Sequence, residues 1–317
     1  MSTITIFNCF GEPEQINLES KPKIRPVNDY IPTDLKTVNS MSGGKTSAYV
    51  AAHYPAGYNV FSLVRIEDSN CRFKDEKIRR LVEDRIQAPF IGTAEDDTII
   101  YTILDLEQYL GTPIHWVTGP TFDWIVKNAG GWLPNKLHRY CTTEMKIRPI
   151  FEWVWRTIGE PVTVRIGYRA NETKRARKMI DRLNENGLLT IKHSFRKWET
   201  GIHKGKNRWE HFQWQRPEFP LIRDRIYKCQ IENYWELKPV RFAPFNNCVG
   251  CFHRNPVLLR KQFDWHPEKM NWFQSQEGGK NGYWRSDLSY ETIGKHNLQV
   301  ELDVSAFSEC DSGFCEG

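Results

Sequence analysis

Six consecutive residues, Ser42-Gly43-Gly44-Lys45-Thr46-Ser47, combine two glycines, one cation and three hydroxyls between a short apolar stretch at 35–41 and a helix-like run at 48–53. That combination is suited to holding an anion. Adjacent glycines let the backbone turn several N–H groups toward one point, and a following helix adds the positive end of its dipole. Lys45 can neutralise charge, and the hydroxyls of Ser42, Thr46 and Ser47 can complete an oxygen shell. The spacing is not that of a Walker A loop, which needs a glycine five positions before the one at 44. Asn39 stands there instead.

Three further segments carry chemistry. In Gly167-Tyr168-Arg169-Ala170-Asn171-Glu172-Thr173-Lys174-Arg175-Ala176, Gly167 can let the backbone approach a ligand. Arg169, with Arg175 beside it, offers a planar fork for phosphate or sulfate, and Glu172 can accept from a ribose hydroxyl or hold an arginine. In Arg139-Tyr140-Cys141-Thr142-Thr143-Glu144-Met145-Lys146-Ile147-Arg148-Pro149-Ile150, Cys141 precedes a predicted helix at 143–157. The helix end favours a thiolate able to bind metal or attack sulfur, and Lys146 and Arg148 can hold an anionic substrate. A lone cysteine is more often a small buried hydrophobe; these neighbours point to chemistry instead.

Asn247-Cys248-Val249-Gly250-Cys251-Phe252-His253-Arg254 contains a Cys-x-x-Cys turn, in which two thiolates can face one metal and Gly250 relieves the bend. One such pair is half a site. A structural zinc needs two more ligands, for which His253 and Cys229 are candidates, and a 4Fe-4S cluster needs a third and usually a fourth thiolate. Free thiols or a redox disulfide are the remaining uses. The chain end, 308–317, brings a second pair, Cys310 and Cys315.

The Ser42 loop resembles the Ser-Gly-Gly-x-Asp-Ser loop of the PP-loop superfamily, which includes ATP pyrophosphatases and phosphoadenosine phosphosulfate (PAPS) reductases; Thr46 stands where Asp is usual. The Gly167 segment resembles the Gly-x-Arg-x-x-Glu-Ser/Thr-x-Arg-Ala element of PAPS reductase-like proteins. The Cys141 segment is similar to the family's Arg-x-Cys-Thr-x-x-x-Lys-x-x-Pro element. Members that carry a cluster combine a Cys in the Cys-Thr region with a distal Cys-x-x-Cys, an arrangement that Cys141, Cys248 and Cys251 reproduce. The resemblance implies Cys229 as the fourth ligand, or, if Cys229 points elsewhere, one iron left open as in tRNA-thiolating relatives. Glu309-Cys310 is similar to the tail that carries the nucleophile in thiol-dependent PAPS reductases, with Asp311 in place of Gly, no tail His, and Cys315 as a resolving thiol.

Spanning about residues 35–254, the resemblance implies an adenine nucleotide alpha hydrolase-like fold and a PAPS reductase-like reaction. The Ser42 loop, Lys146, Arg148 and Arg169 would hold the phosphosulfate nucleotide, a Cys thiolate would attack its sulfur, and a second thiol or thiol reductant would release sulfite. The same cradle could instead take ATP and Mg²⁺, adenylate a nucleic acid such as tRNA or DNA, and let a sulfur donor displace AMP. A non-catalytic nucleotide- or nucleic-acid-binding accessory protein is the third reading.

The elements that must position these residues follow an alternating pattern. Residues 1–34 carry Pro13, Pro22, Pro26 and Pro32 without sustained periodicity and read as a surface extension. Between 35 and 185, β-rich runs at 58–66, 90–91, 114–117 and 162–166 alternate with helical stripes. Ile78, Leu81, Val82 and Ile86 make one stripe, Ile99, Ile103, Leu106 and Leu110 another, and helices are predicted at 143–157 and 173–183. The pattern predicts an α/β fold with a doubly wound, mostly parallel sheet, whose ligands sit beyond the carboxyl ends of the strands. Residues 186–216 form an aromatic and basic stretch that reads as a β-hairpin insertion. It suits single-stranded nucleic acid, or a hairpin whose rings pack on the domain and whose cations are solvated. Residues 217–317 read as a cysteine-containing region packed on the core.

Composition limits these readings only loosely. With 317 residues and 39% apolar content the chain can bury a large core, and a formal net charge of +5 permits an anionic partner without demanding one. No apolar run of 18 residues and no basic start followed by an apolar core is present, so neither membrane span nor secretory signal is expected. Eight unevenly spread cysteines fit metal or redox chemistry in a cytoplasmic setting better than a secreted disulfide framework.

Overall fold

The computed structural model describes residues 3–7, 13–17, 34–278 and 282–297, the first two stretches as backbone strands. These two, β1 (Thr3–Phe7) and β2 (Pro13–Asn17), form an antiparallel pair. The main body then alternates: β3 (Thr37–Met41), α1 (Lys45–His53), β4 (Tyr58–Leu63), β5 (Arg65–Ile66), α2 (Glu76–Ile86), β6 (Gly92–Thr93), α3 (Thr98–Leu110), β7 (Ile114–Thr118), α4 (Phe122–Asn128). A continuous helical run follows, made of α5 (Tyr140–Thr142), a π turn at Thr143–Ile147 and α6 (Arg148–Thr157). Next come β8 (Val162–Arg165), α7 (Thr173–Ile180), β9 (Leu189–Lys197), β10 (Asn207–Glu218), α8 (Pro220–Arg223) and α9 (Lys228–Glu236). The described part closes with α10 (Pro256–Trp265), α11 (Pro267–Ser275) and α12 (Tyr290–Lys295).

Six strands form the central sheet in the order β7-β4-β3-β8-β10-β9, all neighbours parallel except β9 against β10. Alternating strand residues enter opposite layers. Phe61 and Leu63 of β4 join Ala48, Ile103 and Trp235 on one face, whereas Val60 joins Phe151 and Val154 on the other. Helices covering both faces are why these strands read as nearly continuous apolar runs.

Chain order across the sheet reverses between β3 and β8. The strand after β3 is added on one side and β8 on the other, so the loops leaving both strands splay apart and leave a crevice at their carboxyl ends. The Ser42 loop leaves β3 and the Gly167 loop leaves β8. Their adjacency is thus a property of the topology.

Several predicted elements differ in detail. The strand expected at 90–91 is instead β6 at Gly92–Thr93, paired antiparallel with β5 outside the central sheet. The helix predicted at 143–157 begins at Tyr140, so Cys141 lies inside its first turn. The 186–216 hairpin is not set apart from the sheet: Gln215–Glu218 of β10 pair in parallel with Val162–Arg165, and β9 becomes the sheet's edge. The physical reason is its aromatic side, since Phe195, Phe212 and Trp214 pack around the fully buried Phe151 of α6. Beyond the sheet, α10–α12 share a core with α4 built from Phe122, Trp272, Phe273, Trp284 and Tyr290. Among the described residues no helix is long and apolar enough to cross a membrane.

Candidate functional site

The cradle forms as its glycines require. Gly43 adopts φ +74°, and a Cβ there would also meet Ile99 Cγ2 at 2.5 Å; a Cβ on Gly44 would meet Asn246 Nδ2 at 2.3 Å. Ser47 Oγ ties the loop to its helix by accepting from Ser42 N at 3.1 Å and donating to Gly44 O at 3.0 Å. Gly44 caps α1 without a side-chain hydrogen bond, and no acid lies in the first turn. The first-turn N–H groups therefore keep their capacity for an anion. Asn39, where a Walker A loop would need glycine, is inside β3, buried and bonded to Asn59 Oδ1 at 3.1 Å.

A cavity of about 250 Å³ opens from this cradle. Ser42, Thr46 and Ser47 line one part of it, with Gly167, Arg169, Glu172 and Arg175 from the loop after β8. Lys146, Cys141, Cys248 and Cys251 line the remainder, among aromatic residues that include Phe252, Phe273 and Trp284. Four separated motifs thus share one cavity.

The charged side chains are held rather than loose. Arg169 is only 3% exposed; its Nε donates to Glu172 Oε2 at 3.0 Å, its backbone N donates to the same oxygen, and Arg175 reaches Glu172 Oε1. Burial alone would raise the Glu172 carboxyl, but Arg169 and Arg175 bring it below its ordinary value, so it stays ionised. Lys146 Nζ donates to Glu95 Oε1 at 2.7 Å. Burial opposes its charge, yet Glu95 and the thiols of Cys248 and Cys251 outweigh that and raise its pKa.

The thiol wall differs from the sequence expectation in one respect. Burial pushes Cys141 up to about 11, with Cys251 adding to the rise and Arg139 opposing it, and burial likewise pushes Cys248 well above the ordinary thiol value. Desolvation outweighs the helix end, so protonated thiol is the resting form of Cys141 in the metal-free protein. Gly250 is required for a reason other than a bend, because the Phe273 ring lies 2.4 Å from where its Cβ would be.

Several nitrogens around the Cys-x-x-Cys are buried without a hydrogen-bond partner among the described residues: Asn247 Nδ2, His253 Nε2, and Arg254 Nε and Nη1. Buried polar atoms of this kind ordinarily have partners. Burial, with Arg139 and Lys136, holds His253 down to about 4, so it is neutral. Three thiols ringed by such nitrogens are chemically suited to a thiolate-held metal group, which carries net negative charge. As placed, no group of three or more His, Cys, Asp and Glu side chains among the described residues converges on an ion. The fit is one of donor chemistry.

Not every expected residue reaches the cavity wall. Gly43, Gly44 and Lys45 belong to the loop but are not among the residues that line the cavity. Arg148 turns away, donating from Nε and Nη2 to Glu144 and from Nη1 to Lys192 O at 3.1 Å. Cys229 sits on α9, which packs against α1, and does not line the cavity. Cys310 and Cys315 lie outside the described residues.

Sequence reasoning missed Glu95, Asn246 and Lys269. Glu95 is fully buried, bridges Cys248 through backbone pairing, and pairs with Lys146, while Lys269 Nζ donates to its carbonyl and to Asp97 Oδ1 at 2.6 Å. The available signal was the run Glu95-Asp96-Asp97, three consecutive carboxylates between β6 and α3. No family model matches the chain, and neither does any curated protein or solved structure.

Proposed function

We propose that this chain is a PAPS reductase-like enzyme that binds an adenine phosphosulfo-nucleotide and carries out thiol- or iron–sulfur-dependent sulfur chemistry on it. One observation carries the reading: the anion cradle after β3, the arginine loop after β8 and three thiols open onto a single cavity. Its volume lies just under the ~300–1,000 Å³ usual for small-molecule sites, enough for the phosphate–sulfur end of a nucleotide with the base nearer the mouth. The α1 N–H groups and the Ser42 and Thr46 hydroxyls bind phosphate oxygens, and Arg169, fixed by Glu172, orients the sulfate toward the thiols.

In the thiol-dependent form, a cysteine Sγ attacks the sulfonyl sulfur and the S–O bond to phosphate breaks. The electron pair leaves with the nucleotide phosphate. A second thiolate then attacks that Sγ, expelling sulfite and leaving a disulfide for an external dithiol to reduce. Cys141 is the attacking residue when the cavity thiols act directly, its proton passing to solvent and Arg139 countering the charge of the thiolate; when they hold metal, Cys310 with Cys315 takes that role. Cys141, Cys248 and Cys251 would hold an iron–sulfur cluster or zinc, leaving one metal position for another ligand, and the group would supply a Lewis-acidic site for a substrate oxygen or sulfur.

A second reading, in which ATP and Mg²⁺ occupy the same cradle and a nucleic acid is thiolated, is favoured by one contact. Arg148, two residues from Lys146 of the cavity, reaches the exposed Trp209 of the basic hairpin, its guanidinium 5.7 Å from the ring centre. The two readings separate in one preparation, purified without oxygen and analysed for iron, sulfide and zinc. Sulfite release from PAPS with a dithiol, lost in Cys141→Ser, is expected. Turnover of ATP to AMP only with nucleic acid and a sulfur donor would transfer the function to the second reading, and neither turnover would sink both.

A further inference from the structure

The hairpin carries a separate surface that the cavity chemistry does not use. The stretch 188–214 holds six Lys and Arg against two Glu, so most of the formal net charge of +5 falls on it. Its aromatic residues divide into two sets. Phe195, Phe212 and Trp214 are consumed in packing on α6. Trp198 and Trp209 are left 42% and 50% exposed, and the fold has no evident need of them there.

These two indoles alternate with cations around a shallow groove at the turn, lined by Lys197, Trp198, His203, Lys206, Asn207 and Trp209. Arg208 lies over the Trp198 ring at 5.2 Å, and Lys192 over Trp209 at 5.9 Å. Glu210 is paired to Arg208 at 2.8 Å, whereas Lys197, Lys204 and Lys206 have no carboxylate partner among the described residues. Half-exposed indoles interleaved with uncompensated cations match one ligand best. Bases need ring faces and phosphates need cations at short, repeated spacing, and a single strand offers both at once. A duplex hides its base faces, an acidic peptide offers no faces to stack, and a lipid surface is flat, whereas these indoles line a groove.

We propose that the turn of the β9–β10 hairpin is a binding site for single-stranded nucleic acid, independent of which reaction the cavity runs. The test is fluorescence anisotropy with labelled single-stranded DNA and RNA oligonucleotides of about a dozen nucleotides and the matching duplex, across a salt series. Single strands bind more tightly than the duplex, and affinity falls with salt by a log–log slope of about −0.7 per phosphate contacted. Trp198→Ala and Trp209→Ala each lower single-strand affinity at least about 5-fold. Lys197→Glu with Lys206→Glu lowers it further and flattens the salt slope. The melting temperature and adenine nucleotide binding of the Trp198→Ala and Lys206→Glu proteins stay at wild-type values, showing that the loss is local. A preference between DNA and RNA identifies the strand. Equal binding of duplex, or binding of poly-glutamate or anionic vesicles that is as tight and indifferent to both Trp substitutions, overturns the proposal. Absence of oligonucleotide binding at low salt overturns it as well.

Discussion

Gly44 is closed to a side chain by distance: the Asn246 amide occupies the space a Cβ would take, with Nδ2 at 2.3 Å and Cγ at 3.1 Å. Gly43 is closed twice, by its left-handed backbone and by Ile99. Their alanine variants should therefore fail differently. Gly44→Ala displaces the Asn246 side chain, which also lines the cavity, so nucleotide affinity falls about 10-fold or more, equivalent to about 1.4 kcal/mol, with a smaller loss of stability. Gly43→Ala pays a left-handed penalty of roughly 1–2 kcal/mol besides its clash, so urea denaturation shows the larger destabilisation there. Calorimetric titration with PAPS and with ATP reads the first effect. Wild-type affinity for both nucleotides in Gly44→Ala would mean that the loop is only a turn. The cradle itself was readable because glycine pairs, hydroxyls and a following helix occupy neighbouring positions in the chain.

At the scale of elements, the contact between α6 and the β9–β10 hairpin contains a buried histidine. His193 is buried against Phe151 and Phe195, with Arg148 Nη1 3.1 Å from Nδ1 and Glu152 Oε1 3.7 Å from Nε2. Burial lowers its pKa, and Arg148 and Arg156 lower it further against a weaker opposing effect of Glu144. The unfolded chain then binds a proton more readily than the folded one, so this residue's contribution is fully present above the ordinary histidine pKa of about 6.5 and is lost as pH falls through the folded value. His193→Gln should lose less stability than wild type between pH 7.5 and pH 5, measured by urea midpoints. An equal or greater loss would assign the acid sensitivity elsewhere. Helices with a clean period, such as α2 and α3, were legible, as was β4 from its β-rich run. The hairpin was legible as a hairpin but not as the edge of the sheet, because pairing of β10 with β8 depends on strands some fifty residues apart. Helices α10–α12 were unread: they are short, two open on proline, and their aromatic residues do not form a narrow stripe.

For the whole molecule, the cavity is assembled from segments far apart in sequence, with walls from 42–47, 139–146, 166–175 and 246–253. The motifs could each be read alone, but their convergence follows from the reversal of strand order between β3 and β8, and Glu95 and Asn246 join only because the chain returns to that edge. One ligand touching both the cradle and the thiol wall should then stabilise these distant segments together. A nucleotide at 100 times its Kd adds about 2.7 kcal/mol to the folded state, which for a protein of this size raises Tm by roughly 4 °C. Amide hydrogen exchange resolves where that stability resides. Protection is expected to rise in 42–47, 166–175 and 246–253 together, while the hairpin turn at 198–206 is unchanged. Protection gained at 42–47 and 166–175 alone would separate the nucleotide from the cysteines. The sulfur chemistry would then lose its substrate, although the cradle would keep its anion.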